Sequence, residues 1–383
     1  MKRALTLMLT VDGERVRALD VRLPRFDATA LLRQRPASEA VTLLPLVFSI
    51  CAQAQAAAAA GAISAARDKP LPPARVAAHT LAVQIESVQE SLRSLCLGLP
   101  EALLSQQTVQ GAALTADFAR AWRGGTAFLA RLQKALRDEA DDTTAALAAL
   151  HQEAKTVAQT WDAFCARHVY GTSVLLWQGE DGAADEALPV MRRFRQMSEE
   201  VPALGRMALS PLPLAMFRAG KLSWQALVEM PYDASGWWRV QQDARMAAVK
   251  ARFGNSVAAR WRARLVDVAK TLAGLLDMEK TATTVEKEET RPWIRAYSLD
   301  DGDGIAEVEC ARGVLVHRAQ LAEQSVAAYE VGAPTDWNLH RHGALATLFD
   351  LPATDIDRLR THATWLVQVL DPCVVFELEV VDA

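Results

Sequence analysis

The residues that invite a chemical reading are thiols. The chain of 383 residues carries five cysteines, Cys51, Cys96, Cys165, Cys310 and Cys373, and a thiolate is a suitable soft ligand for a metal. They are scattered and odd in number, and no Cys-x-x-Cys pair occurs. A disulfide framework is therefore not expected, and a reducing compartment is. Cys373 follows Asp371-Pro372. Proline fixes its own φ and predicts an extended Asp371, so the thiol is held in a set direction after the preceding helix. Taken alone, Cys373 reads as a buried cysteine in a short strand. The second stretch is Leu46-Val-Phe48-Ser49-Ile50-Cys51-Ala-Gln53-Ala-Gln55.

Other candidate groups read more plainly. His79, His151, His168 and His362 are expected to be satisfied polar groups. Asp300-Asp301-Gly302-Asp303-Gly304 lacks the EF-hand spacing with glutamate at position twelve and reads as a turn. Arg260, Arg262 and Arg264 read as the solvated face of an amphipathic helix. The net charge is −4, from 42 basic and 46 acidic residues, with no basic block or stripe; nucleic acid is not an expected partner. Neither the short apolar start, which ends at Asp12-Gly13, nor the alanine run from Ala54 to Ala66, which glutamines and a serine interrupt, predicts a signal peptide or a membrane span. The expected location is cytoplasmic.

These groups must be placed by elements. Residues 3–11 and 15–23 flank Asp12-Gly13 and predict a hairpin. A short helix follows Asp27, and Ser38 opens a longer helix that carries Cys51. The alanines after Cys51 favour helix and are small enough for close packing with neighbouring helices. Helices are expected over 75–98, with Leu81, Ile85, Val88, Leu92 and Leu95 on one stripe, and over 112–139 and 142–169. Gln178 to Glu186 and Thr281 to Thr290 read as loops, and 200–235 has no clear pattern. Trp261, Leu265, Val268, Leu272 and Leu275 mark another helix. Ile305–Glu309, Val314–Leu321 and Ser325–Val331 are β-like. Thr354 with Asp357 suggests a capping box for a last helix, whose stripe is Ile356, Leu359, Ala363, Leu366 and Leu370. The fold class is mainly α with a minor β part (α+β).

Five stretches in order resemble the large subunit of [NiFe]-hydrogenases. Leu32-Arg-Gln-Arg-Pro36-Ala-Ser-Glu-Ala40 resembles the segment before that family's RxCGxC motif. The motif itself falls on residues 46–55, with Cys51 at its second cysteine, Phe48 at its first, Leu46 at its arginine and Gln55 at the following histidine. Glu309-Cys310-Ala311-Arg312-Gly313-Val-Leu-Val-His317 is similar to E-A-P-R-G-A-L-G-H. Val331-Gly-Ala-Pro334-Thr335-Asp336-Trp337-Asn338 is similar to V-V-P-[ST]-T-W-N. Asp371-Pro372-Cys373 begins DPCxxCxxH, with Phe376 and Glu379 at the second cysteine and the histidine. This pattern of loss resembles the HupK/HoxV-type accessory proteins of hydrogenase expression and formation.

The resemblance implies one hydrogenase-large-subunit-like domain over 1–383: a hairpin in 1–24, a long helical core in 25–290, a β-rich site segment in 297–340, and the last helix with its Asp-Pro-Cys tail in 354–383. It also implies that half of the four metal thiolates remain, Cys51 at a bridging position and Cys373 at a terminal one. Two thiolates cannot rebuild the nickel site, so no nickel is expected. They suit transient holding of iron as Fe(CN)2(CO). Arg312 matches an arginine over the metal centre, Thr335, beside Pro334, matches a hydroxyl that bonds a cyanide, and His317 matches a histidine that orients the site. Cys310 reads as a core cysteine and Trp337 as packing. With Glu379 at the histidine, no C-terminal processing is expected. The implied partners are the maturation complex that builds the iron unit and the hydrogenase large-subunit precursor, with no membrane. Three readings stay open: a non-catalytic iron scaffold, a metal-free maturation chaperone, and a reduced metal-dependent redox enzyme.

Overall fold

The computed structural model describes residues 4–23, 27–97, 109–137, 143–179, 188–277 and 292–383. The predicted hairpin is present: β1 (Leu5–Val11) and β2 (Val16–Arg22) pair antiparallel around Asp12-Gly13, with Gly13 at φ +87°. Leu5, Leu7, Leu9 and Val11 alternate into the core and are buried, the period-two pattern of a half-buried strand. The third strand of this sheet comes from the other end of the chain. Here β7 (Phe376–Asp382) lies parallel to β1, from Leu5 opposite Phe376 to Val11 opposite Asp382, in the order β2-β1-β7.

Most of the mass is helical. The labelled helices are α1 (Ala28–Leu32), α2 (Ser38–Val47), α3 (Ala52–Ala66), α4 (Pro73–Leu97), α5 (Val109–Arg137), α6 (Thr143–His168), α7 (Pro189–Glu200), α8 (Val257–Leu276), α9 (Pro334–Asn338) and α10 (Ile356–Leu370). The α4 stripe Leu81, Ile85, Val88, Leu92 and Leu95 is buried as its period requires, and so is the α8 stripe from Trp261 to Leu275. Among the described residues no single helix is long and apolar enough to cross a membrane. The bent pair of α2 with the segment Ser49–Ala66 turns by 108°, and nearly all of α3 is buried inside the protein.

Five expectations need correcting. Cys51 is not inside a helix; α2 ends at Val47, and Ser49–Cys51 forms a 3-10 turn before α3. The alanines of α3 serve a sheet as well as neighbouring helices. Its small residues pass so close to the strands that a Cβ at Gly304 would lie 2.2 Å from the Ala66 nitrogen. That sheet has four antiparallel strands rather than three: β3 (Ile294–Asp300) precedes β4 (Asp303–Cys310), β5 (Gly313–Ala322) and β6 (Ser325–Gly332). The Asp300–Gly304 segment is the β3–β4 turn, with Gly302 at φ +72°. Helix α10 is capped by Asp355, which accepts from the Arg358 amide at 3.0 Å, rather than through Thr354.

The fifth correction concerns the arginines of α8. Arg260 and Arg262 are 4% and 0% exposed. Periodicity shows that a helix has one apolar face; it does not show that the other face is wet. Here the other face meets further elements, and the cations are satisfied inside. Arg260 pairs with Asp233 at 2.8 Å, Arg262 stacks over Phe194 and Trp177, and Arg264 reaches Asp371 at 3.2 Å. The 200–235 stretch contains two short helices, Leu214–Arg218 and Trp224–Glu229. The expected Thr281–Thr290 loop lies outside the described residues, as does most of Gln178–Glu186.

Candidate metal site

Both marked cysteines stand at helix boundaries. Cys51 closes the 3-10 turn that feeds α3, its amide donating to the Phe48 carbonyl at 3.2 Å. Cys373 follows the end of α10. Asp371 is not extended, as the proline rule suggests, but left-handed, at φ +51° and ψ +68°. Aspartate tolerates this region better than most residues, and its side chain is clamped. The carboxylate accepts from the Ser94 hydroxyl at 2.6 Å and from Arg264 at 3.2 Å, and faces the Arg312 Nε at 3.6 Å.

Cys51, Cys373 and Thr335 line one cavity of about 340 Å³, with Phe48, Ile50 and Val331 among its apolar walls. The Thr335 hydroxyl, on the first turn of α9, donates to Cys373 Sγ at 3.3 Å and accepts from the Cys373 amide at 3.4 Å. Pro334 occupies the first helical position beside it and is buried; it is not among the cavity-lining residues. Trp337 is fully buried, its indole donating to the Leu227 carbonyl at 2.8 Å, and packs as expected. A larger groove of about 480 Å³, between α7 and the helix Ala247–Phe253, contains none of the motif residues.

Arg312 sits in the turn between β4 and β5. Gly313 follows at φ +120°, where a Cβ would meet the Ala234 carbonyl oxygen at 1.8 Å. Only glycine lets the two backbones approach this closely. The Arg312 carbonyl accepts from Asn338 at 3.2 Å, which ties the turn to α9. Its guanidinium is 2% exposed and pairs with Glu90 at 3.2 Å. Burial alone would lower the Arg312 pKa, but Asp371 and Glu90, and then the thiols of Cys51 and Cys373, hold it above its usual value. Its Nη1 is buried without a hydrogen-bond partner among the described residues.

Burial pushes the Cys51 thiol up, and Cys373, Cys310 and Glu86 add to this, while Arg312 opposes it. Cys310 is buried against Ala54, Ala58 and Leu315, with Cys51 packed on the same cluster, and burial pushes it up to about 11. Glu86 accepts from the Gln53 and Ala54 amides at 2.8 and 3.0 Å, at the start of α3. Burial nonetheless raises it to about 8. His317 stands apart from the cavity. It is fully buried on β5, 2.9 Å from the Tyr329 hydroxyl, and burial drives it down to about 3. It is neutral, and the structure gives it no contact with either cysteine of the cavity.

Sequence reasoning passed over Glu86 and Glu90. The available signal was two glutamates four residues apart on α4, each beside the apolar stripe at Ile85, Val88 and Leu92. Such a pair ordinarily lies on a wet face; these are 8% and 7% exposed. Among the described residues no group of three or more histidine, cysteine, aspartate or glutamate side chains is placed to hold a metal ion.

No protein-family model matches the chain. It is similar to the hydrogenase expression/formation protein HoxV of Cupriavidus necator, 27% identical over 98% of this chain and 96% of that one. It is also 27% identical to the hydrogenase expression/formation protein HupK of Azotobacter vinelandii, over 96% of each chain. HupK of Rhizobium leguminosarum matches at 27% over 100% of this chain and 95% of its own. Among solved structures, the Ni-Fe-Se hydrogenase of Desulfovibrio vulgaris Hildenborough aligns at a TM-score of 0.57 with 13% identity, over 96% of both chains. A NAD+-reducing [NiFe]-hydrogenase aligns at 0.55 with 15% identity, over 94% and 93%. The fold is that of the hydrogenase large subunit.

Proposed function

We propose that this protein acts in hydrogenase maturation as a non-catalytic scaffold, in the cytoplasm, holding an Fe(CN)2(CO) unit on its way to a hydrogenase large-subunit precursor. The supporting comparison is the near full-length similarity to hydrogenase expression/formation proteins. The observation that carries the reading is one cavity lined by both Cys51 and Cys373, with the Thr335 hydroxyl hydrogen-bonded to the Cys373 sulphur.

The donor set fits such a cargo. Two sulphurs are too few for a metal held by protein ligands alone, and enough for an iron whose remaining positions carry their own diatomics. Cyanide nitrogens are hydrogen-bond acceptors. Arg312 is not among the cavity-lining residues; its Nη1, buried without a partner among the described residues, is the donor a cyanide reaching past the cavity wall would meet, and an arginine keeps its charge where a lysine would titrate. The Thr335 hydroxyl can serve another once its sulphur is committed to the metal. The apolar walls at Phe48, Ile50 and Val331 suit a carbonyl ligand, which makes weak hydrogen bonds. Asp371 and Glu90 hold Arg312 in place before any cargo arrives.

The test is infrared spectroscopy of the protein purified without oxygen from a host with an active maturation system. Stretching bands of bound CO and cyanide are expected, and Cys51→Ala removes them without unfolding the chain. A parent protein with neither bands nor iron would replace this reading with that of a metal-free maturation chaperone.

A further inference from the structure

Gln55 is a buried amide in a helix of alanines. It lies on the first turn of α3, next to Ala54 and Ala56, and is 1% exposed. Its Nε2 donates to Cys51 Sγ at 3.7 Å. Among the described residues this is the one hydrogen bond that reaches that sulphur. Its Oε1 is also buried and has no partner among the described residues. A half-satisfied buried amide costs free energy that an apolar side chain would not incur.

We infer that Gln55 limits how tightly Cys51 holds the iron cargo and so lets the cargo leave. The inference rests on the scaffold reading above. An N–H directed at a thiolate draws electron density from the sulphur and weakens its donation to a metal; hydrogen bonds of this kind tune metal–thiolate sites generally. The amide is neutral, so it does this without adding a charge that would trap an anionic iron–cyanide unit. Thr335 stands in the same relation to Cys373, its hydroxyl donating at 3.3 Å. Among the described residues each sulphur of the cavity therefore faces one neutral side-chain donor, which suits a site that must release what it binds.

Cobalt(II) is the probe, added alone to the full chain without oxygen. The readouts are the thiolate-to-cobalt charge-transfer band and the rate at which a chelator strips the metal. The parent protein is expected to show a band that Cys51→Ala abolishes. In Gln55→Leu the band moves to longer wavelength, because the sulphur becomes a stronger donor, and release slows roughly tenfold, the scale of a hydrogen bond to a charged group. Gln55→Met, a second donor-free side chain of similar length, behaves the same way, and covers the case in which the leucine variant does not fold. Gln55→His restores an N–H and brings both readouts back toward the parent. An unshifted band with parent-like release in the Leu and Met variants overturns the inference and leaves the scaffold reading standing. A parent protein with no Cys51-dependent band overturns the two-thiol reading, and this inference with it.

Discussion

Replacing Glu86 with glutamine should flatten part of the protein's pH-dependent stability, in a direction set by its burial. Glu86 is 8% exposed and sits beneath the start of α3. Burial moves its pKa from the ordinary 4.5 to about 8. The folded protein therefore binds a proton that the unfolded chain releases between these values. The linkage follows: this group's contribution to stability is fully present below pH 4.5 and is lost as pH rises toward 8. With the two pKa values given, the loss between pH 5 and pH 7 is about 2.5 kcal/mol. Glutamine has nearly the shape of the protonated acid and does not titrate; it keeps one acceptor oxygen for the two backbone amides, a loss that is the same at both pH values and cancels in the double difference. Urea unfolding of parent and Glu86→Gln at pH 5 and pH 7 gives four free energies. Any other group that titrates equally in both proteins cancels in the double difference. The variant should gain about 2.5 kcal/mol on the parent across that range. A double difference near zero, or of opposite sign, would refute the argument that burial outweighs the two amide donors.

The same measurement on His317→Phe should give the opposite sign: the folded pKa of about 3 lies below the ordinary 6.5, so the parent loses stability as pH falls from 6.5 toward 3, by about 1.4 kcal/mol per unit within that window, and the phenylalanine variant lacks this term. A parent–variant difference that does not change between pH 6.5 and pH 4.5 would count against a neutral, buried imidazole. Asp371→Asn leaves Arg264 and Arg312 buried with a partner charge removed; the expected cost is about 3–5 kcal/mol by urea unfolding, and a loss below about 1 kcal/mol would show that the clamp is not structural.

What could be read from the sequence was local or ordered along the chain. The apolar stripes of α4 and α8 repeat with the helical period, and the hairpin is marked by Asp12-Gly13; both needed only neighbouring residues. Motif order marked three residues that share a place, since Cys51, Thr335 and Cys373 line one cavity, whereas Arg312, Pro334 and His317 are not among its lining residues. The remainder depends on what lies across from each element. Nothing in Phe376–Asp382 says that it pairs parallel with β1. Arg260 and Arg262 look like a wet face until Asp233, Trp177 and Phe194 are placed against them. His317 carries a site histidine's motif, yet it points its ring at Tyr329.

Asp371 shows why the two halves of the site act as one. Its backbone turns left-handed to end α10 and so sets where Cys373 begins. Its carboxylate meets Ser94 on α4, Arg264 on α8 and Arg312 in the β4–β5 turn. Burial raises the Asp371 pKa, but Arg264 and Arg312 overcome this and hold it below the usual carboxylate value, so the residue stays ionised. One charged side chain thereby links the backbone that leads into Cys373 to two buried cations. Helix α4 repeats the pattern from the other side. Glu90 pairs with Arg312 while Glu86, one turn earlier, receives the first amides of α3 beside Cys51. The cavity is shaped by buried polar links among α3, α4, α8, the β4–β5 turn and the residues after α10, all in place without cargo. Such preorganisation would spare the proposed site from ordering side chains when a ligand binds.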